Sequence, residues 1–158
     1  MNTIVALDEA KNLGTSLHGK KVVVAGGCFD LLHIGHVSFL EEAKKQGDVL
    51  VVLLESDEAI KKNKGPNRPI NTQKDRAQLL AAFRVVDYVV LLDPDMTNEA
   101  YDALVISLKP AIIAATKGDA YRFHKERQAA QIGAKVIDVI QQVENRSTSR
   151  LVDILHEI

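Results

Sequence analysis

Apolar residues follow two rhythms along this chain. Short, nearly unbroken runs occur at residues 21–25, 48–54, 88–92, 110–115 and 135–140. Runs of that length, apolar through their centres, suit strands buried on both faces. Between them the apolar positions recur every three or four residues. Val37, Leu40 and Ala43 share one face of a helix expected over residues 34–46, with Gly47 as its stop. Further helices are expected over 57–62, from an Asn71 cap to about residue 84, over 97–108, over 121–132 before Gly133, and over 147–156. Residues 63–70, with Gly65, Pro66 and Pro69, read as a loop. Leu7, Ala10 and Leu13 suggest a short helical extension within residues 1–19, ending near Gly14.

Strands alternating with helices predict an α/β fold: a doubly wound, five-stranded parallel sheet, Rossmann-like, in the order 3-2-1-4-5. The whole chain, residues 1–158, reads as one domain. Such sheets bind ligands beyond the carboxyl ends of the strands, where the strand order reverses. Here that point lies between the first strand, ending at Gly26-Gly27, and the fourth, ending at Thr116-Lys117-Gly118-Asp119.

Composition narrows the classes of function. A net charge of -1 argues against nucleic acid or a membrane surface as the main partner. No apolar run approaches a membrane span. A single cysteine, Cys28, excludes an intrachain disulfide and fits a cytoplasmic setting. No signal peptide is expected at the start of the chain.

Candidate chemistry concentrates in Gly26-Gly27-Cys28-Phe29-Asp30-Leu31-Leu32-His33-Ile34-Gly35-His36. Two glycines end a strand, and a helix opens with two histidines three residues apart. Their shared face beside a helix N-terminus suits phosphate oxygens, and Gly35 removes a side chain from the approach. A zinc pair would favour an i, i+4 spacing with a third ligand, which the sequence does not supply, so no metal site is assigned. Cys28 reads as a small packed residue at the turn, since no base is placed beside it except the two histidines. The Gly-rich turn matches neither the dinucleotide fingerprint nor the Walker A pattern. Lys61, Lys62, Lys64 and Arg68 emerge on the same sheet edge and could close over phosphates. Lys44 lies two turns along the first sheet helix. Ser147-Thr148-Ser149 opens the last helix, where hydroxyls and amides either cap or bind phosphate.

The segment GGCFDLLHIGH resembles the GxFDxxHxGH signature of the cytidylyltransferase-like nucleotidyltransferases. The STS segment is similar to their second signature, and Arg68-Pro69-Ile70-Asn71, Arg76 and Lys117-Gly118-Asp119 fall in family order. The look is closest to heptose-1-phosphate adenylyltransferase. Glycerol-3-phosphate cytidylyltransferases and FAD synthetases share the skeleton. Where the heptose branch usually has Asn-Ser-Asp, this chain has Glu55-Ser56-Asp57.

The resemblance implies transfer of a nucleoside monophosphate from ATP or CTP to a phosphorylated small molecule, with release of pyrophosphate and with Mg2+ accompanying the triphosphate. It implies His33, His36 and Lys44 as catalytic residues. Gly27, Cys28, Phe29, Gly35, Arg76, Lys117, Gly118, Asp119, Ser147, Thr148 and Ser149 would contact the nucleotide. Lys62, Lys64 and Arg68 would meet phosphate or acceptor. The resemblance also allows a homodimer. The rival from another class is a nucleotide-binding module without turnover.

Overall fold

A computed structural model describes residues 3–141 and 148–156. Its sheet has six parallel strands in the order β1-β4-β3-β2-β5-β6, with β1 at Thr3–Ala6, β2 at Val22–Gly27, β3 at Val49–Leu54, β4 at Tyr88–Leu91, β5 at Ile112–Thr116 and β6 at Lys135–Ile140. The Rossmann-like class stands, but the five-stranded sheet is corrected to six. The five expected strands are neighbours as β4-β3-β2-β5-β6, and a further edge strand joins outside β4. That strand, β1, lies in the segment expected to be only helical. It pairs Val5 with Val90 and passes directly into helix α1, Leu7–Ser16, with Ala6 as the N-cap.

Alternation along the strands builds two cores. Val22, Val24, Val51, Leu53 and Val90 point to one face, where they pack with Ala10 and Leu13 of α1 and with Leu104, Val105 and Leu108 of α5, Asn98–Leu108. Val23, Ala25, Leu50, Val52 and Leu54 point to the other. They meet Phe39, Leu40 and Ala43 of α2, Ile34–Lys44, and Ala77 and Leu80 of α4, Gln73–Ala81. Every one of these strand residues is buried, as strands covered on both faces require.

Helix ends follow their capping residues. Thr72, not Asn71, caps α4, its hydroxyl accepting from the Asp75 amide, and α4 stops at Ala81. The short helix α3 runs over Asp57–Lys64 behind a Ser56 cap, so Asn63 and Lys64 are helical and not in the loop. Helix α6 spans Arg122–Ile132 and ends at Gly133 in the left-handed region. Helix α7 spans Thr148–His156, which leaves the expected cap Ser147 outside the described residues. No helix among the described residues is long and apolar enough to cross a membrane.

Strand β2 has β3 on one side and β5 on the other, so the winding reverses at β2. The crevice beyond its carboxyl end is where this topology receives ligands.

Candidate active site

The turn after β2 is held in an unusual shape. Phe29 and Leu31 both take positive φ, 46° and 45°, which costs a non-glycine residue about 1–3 kcal/mol each. Asp30 between them is fully buried and supplies the compensating bonds. Its carboxylate accepts from the Arg68 Nε at 3.0 Å, the Ile70 amide at 2.8 Å and the Asn71 amide at 3.0 Å. Burial pushes this carboxyl up, but the two amides and the Arg68 guanidinium outweigh it and hold it below the usual range. The Asp30 carbonyl accepts from the Thr148 hydroxyl at 2.6 Å, tying the start of α7 to the turn. One residue therefore fastens the loop at 68–71 and the last helix to the first motif.

His33 is the N-cap of α2. Its Nδ1 accepts from the Gly35 amide at 3.1 Å, and the His36 Nδ1 accepts from the His33 amide at 3.2 Å. A ring nitrogen that accepts from an amide carries no proton, so each neutral imidazole has its hydrogen on Nε2. The ring centroids are 4.0 Å apart, and Phe29 packs on His36 at 5.5 Å. Burial lowers the pKa of His33. Burial, then His33 and Lys64, lower that of His36 to about 4. At neutral pH the pair presents two uncharged Nε2–H donors at a helix N-terminus.

Lys64 is the lysine of the basic run that reaches the turn before this pair, its Nζ 3.1 Å from the Cys28 Sγ. Lys62 is exposed on α3. Across the crevice, Lys117 and Gly118 form the exposed turn after β5, and Asp119 is engaged by Lys125 at 2.5 Å. Thr148 and Ser149 lie in the first turn of α7. Gly27, Cys28 and Asp119 line a cleft of about 440 Å³, which Lys64 also borders.

Three expected contact residues stand elsewhere. Lys44 is not brought to the site. Helix α2 runs back along the sheet, so its last residue lies about 15 Å from the histidines, at 1.5 Å per residue. There Lys44 bonds Asp87 Oδ2 and the Asp48 carbonyl, each at 2.5 Å, at the amino ends of β3 and β4. Arg76 is wholly buried and spent on protein atoms. It donates to the carbonyls of Cys28, Glu55 and Asn71 at 2.6, 2.9 and 3.0 Å, and to the Asp57 carboxylate at 2.7 Å. It clamps the ends of β2 and β3 and does not face the cleft. Arg68 is buried against Asp30.

Sequence reasoning missed Asp30 as the fastener of the turn. It also missed Gln73, whose Nε2 donates to the Leu54 and Leu92 carbonyls at 3.1 and 2.9 Å and so sets the spacing of β3 and β4 at their carboxyl ends. Gln73 carries no local signal, whereas Asp30 sits inside the first motif. Among the described residues no three His, Cys, Asp or Glu side chains gather as a metal cage.

A family model described as cytidylyltransferase-like matches residues 24–154. The chain is 43% identical over 148 residues to a bifunctional protein HldE of Nitratiruptor sp., covering 92% of this chain and 30% of that relative. A bifunctional protein HldE of Campylobacter jejuni subsp. doylei is 45% identical over 134 residues, covering 85% of this chain and 27% of its own length. The chain thus spans less than a third of the curated relatives it matches. A crystal structure of a lipopolysaccharide core biosynthesis protein from Thermoplasma volcanium superposes with a TM-score of 0.62 at 29% identity, covering 82% of this chain and all of the other.

Proposed function

The chain belongs to the cytidylyltransferase-like family, and from that premise we propose that it transfers a nucleoside monophosphate, AMP in the first instance, from a nucleoside triphosphate to a sugar 1-phosphate of the heptose class. An ionised oxygen of the acceptor phosphate attacks the α-phosphorus. The bond from that phosphorus to the bridging oxygen of the β-phosphate breaks, and pyrophosphate leaves with the electron pair. No base is required, because the acceptor is already an anion. Catalysis is then alignment and stabilisation of charge on the leaving group.

The observation that carries this reading is the fixed tautomer of His33 and His36. Two Nε2–H donors at the start of α2, with the Lys64 ammonium beside Cys28, are built to receive oxygens of a phosphate chain. Neutral imidazoles donate without drawing the triphosphate into a tight ground-state ion pair, so their bonds can strengthen as charge moves onto the leaving pyrophosphate. In the same reading Gly27, Cys28, Phe29 and Gly35 border the triphosphate, Lys117, Gly118 and Asp119 form the opposite rim, and Thr148 and Ser149 offer phosphate the start of α7. Magnesium belongs to the substrate, entering on the triphosphate and keeping phosphate oxygens as its main ligands. The protein acts on small molecules in the cytoplasm, without nucleic acid or membrane as partner, alone or as a homodimer.

The identity to HldE proteins and the likeness to a lipopolysaccharide core biosynthesis protein favour the sugar phosphate over glycerol 3-phosphate or FMN as acceptor. A screen of pyrophosphate release tests the proposal, pairing ATP and CTP with heptose 1-phosphate, hexose 1-phosphates, glycerol 3-phosphate and FMN. Release with ATP and a sugar 1-phosphate is expected. Tight nucleotide binding with no release from any pair would instead mark a binding module.

A further inference from the structure

Two polar groups in the cleft have no task in the reaction above. Tyr101 hangs from α5, and its hydroxyl lies over Gly26, so close that a Cβ there would sit 2.5 Å from Oη. Only glycine leaves the phenol this place. Glu55 follows β3, its amide donating to the Gly27 carbonyl at 3.1 Å, which sets it beside the same strand end. Both side chains line the cleft.

Their neighbours in the cleft wall are already satisfied. Lys125 holds Asp119 at 2.5 Å, and Arg127 and Gln128 hold Asp102 at 2.6 and 2.7 Å. Ser56 caps α3. The Glu55 carboxyl and the Tyr101 hydroxyl, by contrast, have no hydrogen-bond partner among the described residues. Burial raises the pKa of Glu55, opposed by Lys64 and Arg76, and burial together with Glu55 raises that of Tyr101. Both residues are part-exposed at the cleft, so water or a ligand can complete their hydrogen bonds. The natural complement is a ligand with adjacent hydroxyls: a carboxylate can accept from two neighbouring O–H groups while a phenol donates to one of their oxygens.

We propose that Glu55 and Tyr101 form a subsite for a vicinal diol of the bound substrate. The proposal rests on the cleft being the substrate site. It also gives a use to the acid at position 55, where the resembling enzymes usually carry asparagine: an acid offers two acceptor oxygens and an amide one. The diol is either the ribose of the nucleotide or part of the sugar acceptor, and the two are separable by binding.

Isothermal titration of the full chain and of the near-isosteric variants Glu55→Gln and Tyr101→Phe tests this. The probes are ATP, 2′-deoxy-ATP, mannose 1-phosphate and cyclohexyl phosphate, with circular dichroism to confirm folding. A ribose subsite predicts that both variants bind ATP at least fivefold more weakly and no longer prefer it to 2′-deoxy-ATP. An acceptor subsite predicts unchanged ATP binding and loss of the preference for mannose 1-phosphate over cyclohexyl phosphate. Variants that bind all four probes as the parent does overturn the proposal. Because the readout is binding, it stands apart from turnover: absence of pyrophosphate release would sink the transferase reading while leaving the diol subsite open to the same titration.

Discussion

Replacing Asp30 by asparagine should unfasten the turn that presents the histidines. The carboxylate is wholly buried and accepts three hydrogen bonds, one from the Arg68 guanidinium, whose side chain is 7% exposed. Asparagine keeps one acceptor oxygen and turns an amide nitrogen toward a donor it cannot satisfy. It also leaves a buried guanidinium without its counter-charge, and the Arg68 Nη2 already has no partner among the described residues. Removing one member of a buried pair costs about 3–5 kcal/mol. For a domain of this size that corresponds to a fall in Tm of roughly 6–20 °C, at about 2–4 °C per kcal/mol. The pH dependence has a definite sign. The folded pKa of Asp30 lies below its ordinary 3.8, so its contribution is complete above that value and is lost as pH falls through the lower folded pKa. Asp30→Asn should therefore lose stability at pH 7 and show a shallower acid limb below about pH 4. Urea unfolding between pH 2 and 7 reads both effects. A loss under about 1 kcal/mol at pH 7, or an unchanged acid limb, would refute Asp30 as the fastener.

Three further outcomes are expected. His36, with its pKa lowered to about 4, binds its proton more readily when unfolded. It should therefore stabilise the fold fully above pH 6.5 and lose that contribution as pH falls toward 4, so a His36→Gln variant should show a flatter urea midpoint over that window, and equal slopes would exclude a buried neutral His36. Lys64→Met should lower kcat/KM by about 10²–10³, the usual cost of removing one charge-stabilising donor, whereas Lys62→Met should stay within roughly threefold of the parent; equal losses would mean that the basic run acts as a diffuse field. Lys44→Met should leave kcat/KM unchanged and cost about 1 kcal/mol of stability or less, since its ion pair with Asp87 is part-exposed, and a tenfold kinetic loss would return Lys44 to the acceptor.

The five inner and far-side strands were legible because parallel strands covered on both faces read as apolar runs. Strand β1 was not: Ile4-Val5-Ala6 is too short a run to separate from the helix it enters without a loop. The histidine motif was legible because its glycines and helix start lie within eleven consecutive residues. Arg68 and Arg76 were expected as phosphate and nucleotide contacts, and their protein partners could not be foreseen because these are remote in sequence. Asp30 lies 38 positions from Arg68, and the Cys28 carbonyl lies 48 from Arg76. Periodicity reports neither distance. Lys44 was decipherable in principle, since a helix returning from a parallel strand must carry its last turn to the opposite sheet edge. The diol pair depends on how α5 packs over Gly26, which no local pattern reveals.

The central claim is nucleotidyl transfer, and product identity tests it most directly. With ATP and heptose 1-phosphate, the chain should form ADP-heptose and pyrophosphate in equal amounts, followed by anion-exchange chromatography. Formation of ADP or inorganic phosphate without a nucleotide-sugar, or no product despite saturating ATP, would contradict it.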